Sequence, residues 1–136
     1  MNGKWNMIIL DTHIWVWWNQ DSPQITEQQK EIIENARRDG IGISSISLIE
    51  ISRLVDRGRL ILPKSLKEWF SIALAEEGVN LIPITPTIAI EAYSLPGEFH
   101  KDPADRIIVA TTRIYDCALM TIDQHILAYP YVKLIN

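Results

Sequence analysis

Four acidic residues, Asp11, Glu50, Asp105 and Asp123, are spread along almost the whole chain, each beside a junction of an apolar run and a helical stretch. Carboxylates are hard oxygen donors. A set of them gathered without thiolates or a paired-histidine signature selects Mg2+ or Mn2+ over zinc. A divalent ion so held acidifies a water and stabilises charge growing at phosphorus, which is the chemistry of phosphodiester hydrolysis. Taken singly, each acid has an ordinary explanation. Asp11 precedes an apolar helical stretch and is a preferred helix cap. Glu50 in Ser47-Leu48-Ile49-Glu50 has the spacing of a capping box. Asp102-Pro103-Ala104-Asp105 reads as a cap, a proline at the first helical position and an acid in the first turn. Asp123, in Thr121-Ile122-Asp123, again precedes a short helix. Only their meeting in space would make a site.

The elements that would bring them together follow from hydrophobic periodicity. Short apolar runs at Met7–Leu10, Ile41–Ile43, Val79–Ile82, Ala118–Met120 and Val132–Ile135 read as strands. Between them lie an apolar turn or helix at Ile14–Trp18 and helices over Thr26–Arg38, Leu48–Arg57, Pro63–Glu77, Thr85–Ser94, Asp102–Tyr115 and Gln124–Ala128, several stopped by Gly40, Gly58 and Gly78. Strands of a few apolar residues alternating with helices imply a parallel sheet covered on both faces. The expected fold is a single-domain α/β/α sandwich with four to five short strands, spanning residues 1–136 with a core over about 7–134.

In such a sheet Asp11, Glu50 and Asp123 follow the C-terminal ends of strands, and Asp105 lies on the helix feeding the fourth. That edge is where open α/β sheets bind ligands. Two carboxylates about 5 Å apart repel by roughly 3 kcal/mol at an effective dielectric near 20, whereas a helix N-terminus returns only about 0.3–1 kcal/mol to each. A converging set therefore needs shared protons or a cation.

The formal net charge of −4 gives no basic surplus with which to hold a polyanion, so a nucleic acid would have to be gripped locally. One cysteine, Cys117, permits no internal disulfide and reads as a small buried hydrophobe. No charged leader precedes an unbroken apolar run and no stretch is long enough to span a bilayer, so a cytoplasmic protein without a membrane segment is expected.

Leu10-Asp11-Thr12-His13 after a hydrophobic strand, Glu50 in Ser-Leu-Ile-Glu-Ile, Asp102-Pro103-Ala104-Asp105-Arg106 running into Ile-Ile-Val-Ala-Thr, and Met120-Thr121-Ile122-Asp123 together resemble the four acidic motifs of the PIN domain, and more narrowly the VapC toxins of toxin–antitoxin pairs. The resemblance covers about residues 7–134; residues 1–6 stand ahead of it. It implies a Mg2+- or Mn2+-dependent ribonuclease cutting RNA internally, homodimeric, and restrained by a cognate antitoxin. Carried over residue by residue, Asp11, Glu50, Asp105 and Asp123 would be the metal-binding, catalytic acids. Thr12 and Thr121 would orient them, and Asp102 would be a supporting acid, cap or occasional ligand.

Other residues carry weaker expectations. Arg53 and Arg106 flank the acids and could touch RNA phosphates, although Arg106 could equally pair with a carboxylate. Trp15, Trp17 and Trp18 read as core and partner interface, with stacking on bases as the alternative. His13, His100 and His125 match no metal spacing and read as structural. The apolar faces around Trp15–Trp18 and residues 47–74 are the expected surfaces for an antitoxin and a second copy. Two readings compete. A receiver- or dehalogenase-type phosphotransfer module also places Asp after its first strand, but wants adjacent acids with a late lysine, or Asp-x-Asp. A catalytically inactive PIN-fold binding module acting through protein partners is the other, and the retention of all four acids argues against it.

Overall fold

Side chains alternate across a strand, and the alternation here separates two cores. Ile8 and Leu10 face one side with Ile41, Ile43 and Met120, whereas Met7 and Ile9 face the other with Ile82 and Leu119. The computed structural model describes residues 6–136, so the first five of the six leading residues lie outside the described residues. In chain order the elements are β1 (Ile8–Leu10), α1 (Thr12–Asn19), α2 (Glu27–Ala36), β2 (Ile41–Ser44), α3 (Ile46–Asp56), α4 (Leu66–Leu74), β3 (Val79–Ile82), α5 (Pro86–Ala92), α6 (Pro103–Ile114), β4 (Ala118–Met120) and α7 (Gln124–Leu127). The strands form one parallel sheet in the order β3-β2-β1-β4.

Trp15, Ile33, Ile51, Trp69 and Ala73 bring α1 to α4 onto the first core. Ile88, Ala92, Ile108 and Ile126 bring α5, α6 and α7 onto the second. Completely buried isoleucines and leucines of this kind contribute about 1.5–3 kcal/mol each, and they make the sheet a rigid floor. The result is the α/β/α sandwich expected from the pattern.

Strand order positions the site. The chain builds β1, β2 and β3 outward in one direction, then returns to lay β4 against the opposite edge of β1. The reversal leaves a crevice beyond the C-terminal ends of β1 and β4, the usual ligand position in open α/β sheets. Asp11 N–H donates to Met120 C=O at 3.0 Å, tying the two strand ends together at that crevice.

Two expectations about elements are corrected. The last run, Val132–Ile135, is no full fifth strand: it makes a single parallel bridge, Leu119 with Leu134. The helix expected from Pro63 begins only at Leu66, because Ser65 is extended (φ −60°, ψ 156°) and its hydroxyl caps Glu68 N–H.

Gly78 sets the join of α4 to β3. Its φ is +84°, and a Cβ there would lie 2.5 Å from the Arg37 carbonyl oxygen. Its own carbonyl accepts Ile41 N–H at 2.8 Å, fixing the register of β2 on β3. Gly58 also has positive φ, at +68°, but a Cβ there would meet nothing within 4 Å. Gly78→Ala is therefore expected to lose about 2–5 kcal/mol of unfolding free energy, the backbone cost of about 1–2 kcal/mol plus about 1–3 kcal/mol for the clash, whereas Gly58→Ala bears only the backbone cost. Urea unfolding of both variants checks this; equal losses would place the Gly78 constraint in the backbone alone.

Candidate active site

Asp11 ends β1 and caps α1. Its Oδ1 accepts Thr12 N–H at 2.8 Å, and its Oδ2 accepts the Thr121 hydroxyl at 2.6 Å from the far end of β4. Two short bonds from different elements fix both oxygens of a carboxylate that is only 7% exposed. Thr12 then reaches the other way. Its hydroxyl donates to Glu50 Oε1 and lies 2.8 Å from the Ser47 hydroxyl, so α1 aims the α3 carboxylate into the same crevice.

Asp123 caps α7, with Oδ1 accepting both His125 N–H (2.9 Å) and Ile126 N–H (3.1 Å). Its backbone N–H returns to the Thr121 hydroxyl at 3.0 Å. Asp105, 7% exposed in the first turn of α6, completes the set, with Asp102 lining the same cleft. His100 Nε2 stands 2.8 Å from Asp105 Oδ2. His100, Asp105 and Asp123 each present a ligand atom within 4.8 Å of the other two.

Asp11, Glu50, Asp102, Asp105 and Asp123 thus line one cleft of about 530 Å³, with His13, Trp17, Gln24 and Gln124 at its walls. A second hollow, of about 350 Å³ beside Trp18, is occupied by charges that pair among themselves: Arg37 with Glu34 and Glu76, Lys30 with Asp21. The first hollow has five acids and neither Lys nor Arg among its lining residues.

The electrostatics of that surplus are direct. Burial pushes the Asp105 carboxyl up to about 8, with the charges of Asp11, Asp123 and Asp102 adding to the rise. Burial also raises Glu50, with Asp11 and Asp102 adding to it, and raises Asp11 against the hydrogen bonds from Thr121 and Thr12. Buried carboxyl groups that also repel one another lack a positive charge, and hard oxygens lining one cleft fit a divalent cation. Asp11, Glu50, Asp105 and Asp123 would hold it.

The PIN domain family model matches residues 8–130. The chain belongs to the PIN-domain family. A curated relative, Ribonuclease VapC22 of Mycobacterium tuberculosis, is 32% identical over 126 residues, covering 93% of this chain and 94% of its own. The fold is also that of two solved toxin–antitoxin assemblies at 19% identity. They are VapBC2 of Rickettsia felis bound to a promoter DNA fragment (TM-score 0.72, 96% of this chain and 98% of that one) and FitAcB of Neisseria gonorrhoeae (TM-score 0.66, 96% and 97%).

Within this PIN domain several sequence expectations change. Glu50 forms no capping box: Ser45, not Ser47, precedes α3, and it makes no side-chain cap bond. Asp102 occupies the cap position of α6, but its side chain makes no cap bond either. Arg106, expected as a possible phosphate contact or carboxylate partner, is placed as a structural tie between α5 and the turn into α6. Its guanidinium donates to the carbonyls of Ala92 (2.8 Å), Phe99 (3.0 Å) and His100 (3.0 Å) and stacks over Tyr93. Arg53 is exposed on α3 and does not line the cleft. Trp15 is wholly buried against Trp69, so it belongs to the core and not to an interface, whereas Trp17 stands at the cleft wall.

His100 is the residue that sequence reasoning passed over as structural. Its signal was position: it lies two residues before Asp102-Pro103-Ala104-Asp105, and the turn into α6 folds it back on Asp105.

Without metal, Asp105 keeps its proton in the folded chain up to about pH 8, whereas an unfolded Asp releases it near 3.8. Across that window the folded state binds more protons, so stability falls as pH rises. Thermal unfolding in EDTA is expected to show a midpoint that declines from pH 5 to pH 8. Saturating Mg2+ should lift the midpoint most at the alkaline end, and Asp105→Asn should flatten the slope. A wild-type slope equal to that of the variant would refute the raised Asp105 pKa.

Proposed function

We propose that this PIN domain, one unit over residues 1–136 with its core at about 7–134, is an endoribonuclease dependent on Mg2+ or Mn2+ and the toxin of a toxin–antitoxin pair. One observation carries the reading: Asp11, Glu50, Asp105 and Asp123, remote in sequence, face one cleft whose carboxylates repel for want of a cation. The ribonuclease relative and the toxin–antitoxin neighbours in fold support it from outside.

When bound, the divalent ion supplies Lewis-acid stabilisation of charge on the phosphodiester and acidifies a water. The chain's own residues do the positioning. Thr12 and Thr121 hold Glu50 and Asp11 in fixed orientations, so little reorganisation is needed at the moment of reaction. Asp123 uses one oxygen for the α7 amides and keeps the other for the cleft. A carboxylate facing the cleft serves as the base for the attacking water, and the Trp17 indole beside it offers a face for a base of single-stranded RNA.

The partner reading rests on exposed apolar side chains. Ile49, Ile61 and Ile72 are 63%, 86% and 54% exposed along α3, its following loop and α4. Such residues suit burial by an antitoxin or a second copy of the chain. Among the described residues no helix is long and apolar enough to cross a membrane.

Asp11→Asn and Asp105→Asn are each expected to lower cleavage of total RNA by more than about 100-fold. Loss of a ligand should exceed the 10–100-fold typical of removing a ligand's hydrogen-bond partner, and Thr121→Ala should fall within that smaller range. EDTA should abolish cleavage and Mg2+ or Mn2+ restore it. Cleavage unaltered by both Asn variants and by EDTA would overturn the reading.

A further inference from the structure

His100 is held as a ligand is held. Its ring stacks on His125 with centroids 4.0 Å apart and planes 8° from parallel, and Phe99 meets it edge-on at 4.7 Å. Arg106 grips the backbone carbonyls on either side of that turn, Phe99 and His100, at 3.0 Å each. So fixed, the ring brings Nε2 against Asp105, whose carboxyl group lines the acidic cleft. The atom is closed off from solvent and makes no hydrogen bond, although Asp105 Oδ2 lies only 2.8 Å away. A histidine serving merely to orient Asp105 would donate an aligned hydrogen bond to it. A buried, orphaned nitrogen beside one carboxyl group and within 4.8 Å of a second calls for a different partner.

The spacing fits one ion. Metal–ligand bonds of about 2.1 Å at right angles place neighbouring donors about 3 Å apart and opposite donors about 4.2 Å apart. The His100–Asp105 separation matches a neighbouring pair, and the full 4.8 Å spread of His100, Asp105 and Asp123 closes with a contraction of about half an ångström.

We infer that His100 supplies Nε2 as a metal ligand alongside Asp105 and Asp123, so that the cleft favours a first-row transition ion over Mg2+. The inference rests on the cleft being a divalent-metal site and adds a nitrogen donor to its carboxylates. Imidazole nitrogen is accepted readily by transition ions and poorly by Mg2+, which prefers oxygen and retains its waters. Mn2+ stands lowest in the transition series for such donors, so it is the stringent probe, and it is paramagnetic.

The test is Mn2+ binding to the intact protein, followed by electron spin-echo measurement of histidine nitrogen coupling. The chain has three histidines, of which His13 lines the cleft. Coupling is expected in the wild type, in His13→Ala and in His125→Ala. It should vanish in His100→Phe, which keeps the ring stack, and there the ratio of Mn2+ to Mg2+ affinity should fall about tenfold. If His100→Phe folds poorly, the double variant His13→Ala/His125→Ala leaves His100 as the sole histidine: retained coupling supports the inference and lost coupling overturns it. Mn2+ bound without nitrogen coupling, or coupling that survives His100→Phe, overturns it while leaving the carboxylate site standing. Failure of the wild type to bind Mn2+ at all removes both.

Discussion

Mutual repulsion of buried carboxylates is the interaction around which the rest of the chain is arranged. Asp11 and Asp105 are each only 7% exposed, yet they face further acids across one cleft. Left alone such a group would swing outward to water or stay protonated. Here the sheet gives it no freedom to swing. Asp11 is fixed by bonds from α1 and from the end of β4, and Glu50 by a hydroxyl on α1. The two apolar cores bear that cost: the strands ending at the crevice are buried on both faces, and the order β3-β2-β1-β4 puts their ends where the acids must meet.

Helix capping and site formation share the same atoms. A carboxylate has two oxygens and about four lone-pair positions, so Asp123 satisfies two α7 amides with Oδ1 and still presents Oδ2. Asp11 likewise caps α1 while facing the cleft. Capping and ligation are therefore not rival explanations for these two residues. Glu50 and Asp102 differ, because neither uses its side chain as a cap.

The division between what was legible in the chain and what was not follows the range of the interactions. Strand and helix positions came from period-2 and period-3.6 patterns written locally, so β1 to β4 and the layer order could be read. Asp11, Asp105 and Asp123 could be placed near one rim because each is tied to an element end. Arg106 could not be read: its three carbonyl partners include Ala92, fourteen residues back at the end of α5, and only tertiary packing of α5 on α6 brings that carbonyl within reach. His100 was hidden for the same reason, since its ring is set by His125 beyond β4. Val132–Ile135 had the apolar content of a strand, but a single bridge to Leu119 does not make a ladder.

The charge balance also orders events at the cleft. With a net charge of −4 and five acidic side chains lining the hollow, the cleft without a cation repels a phosphodiester and attracts a cation. Under the proposed function the cation must therefore precede the substrate, because only a neutralised cleft admits a second anion. Arg106 does not line the cleft and is held instead on the backbone carbonyls of Ala92, Phe99 and His100. The absence of a basic surplus, which at first argues against an RNA substrate, is then what a metal-gated nuclease would have. Its grip on phosphate resides in the ion, and withdrawing the ion removes binding and chemistry together.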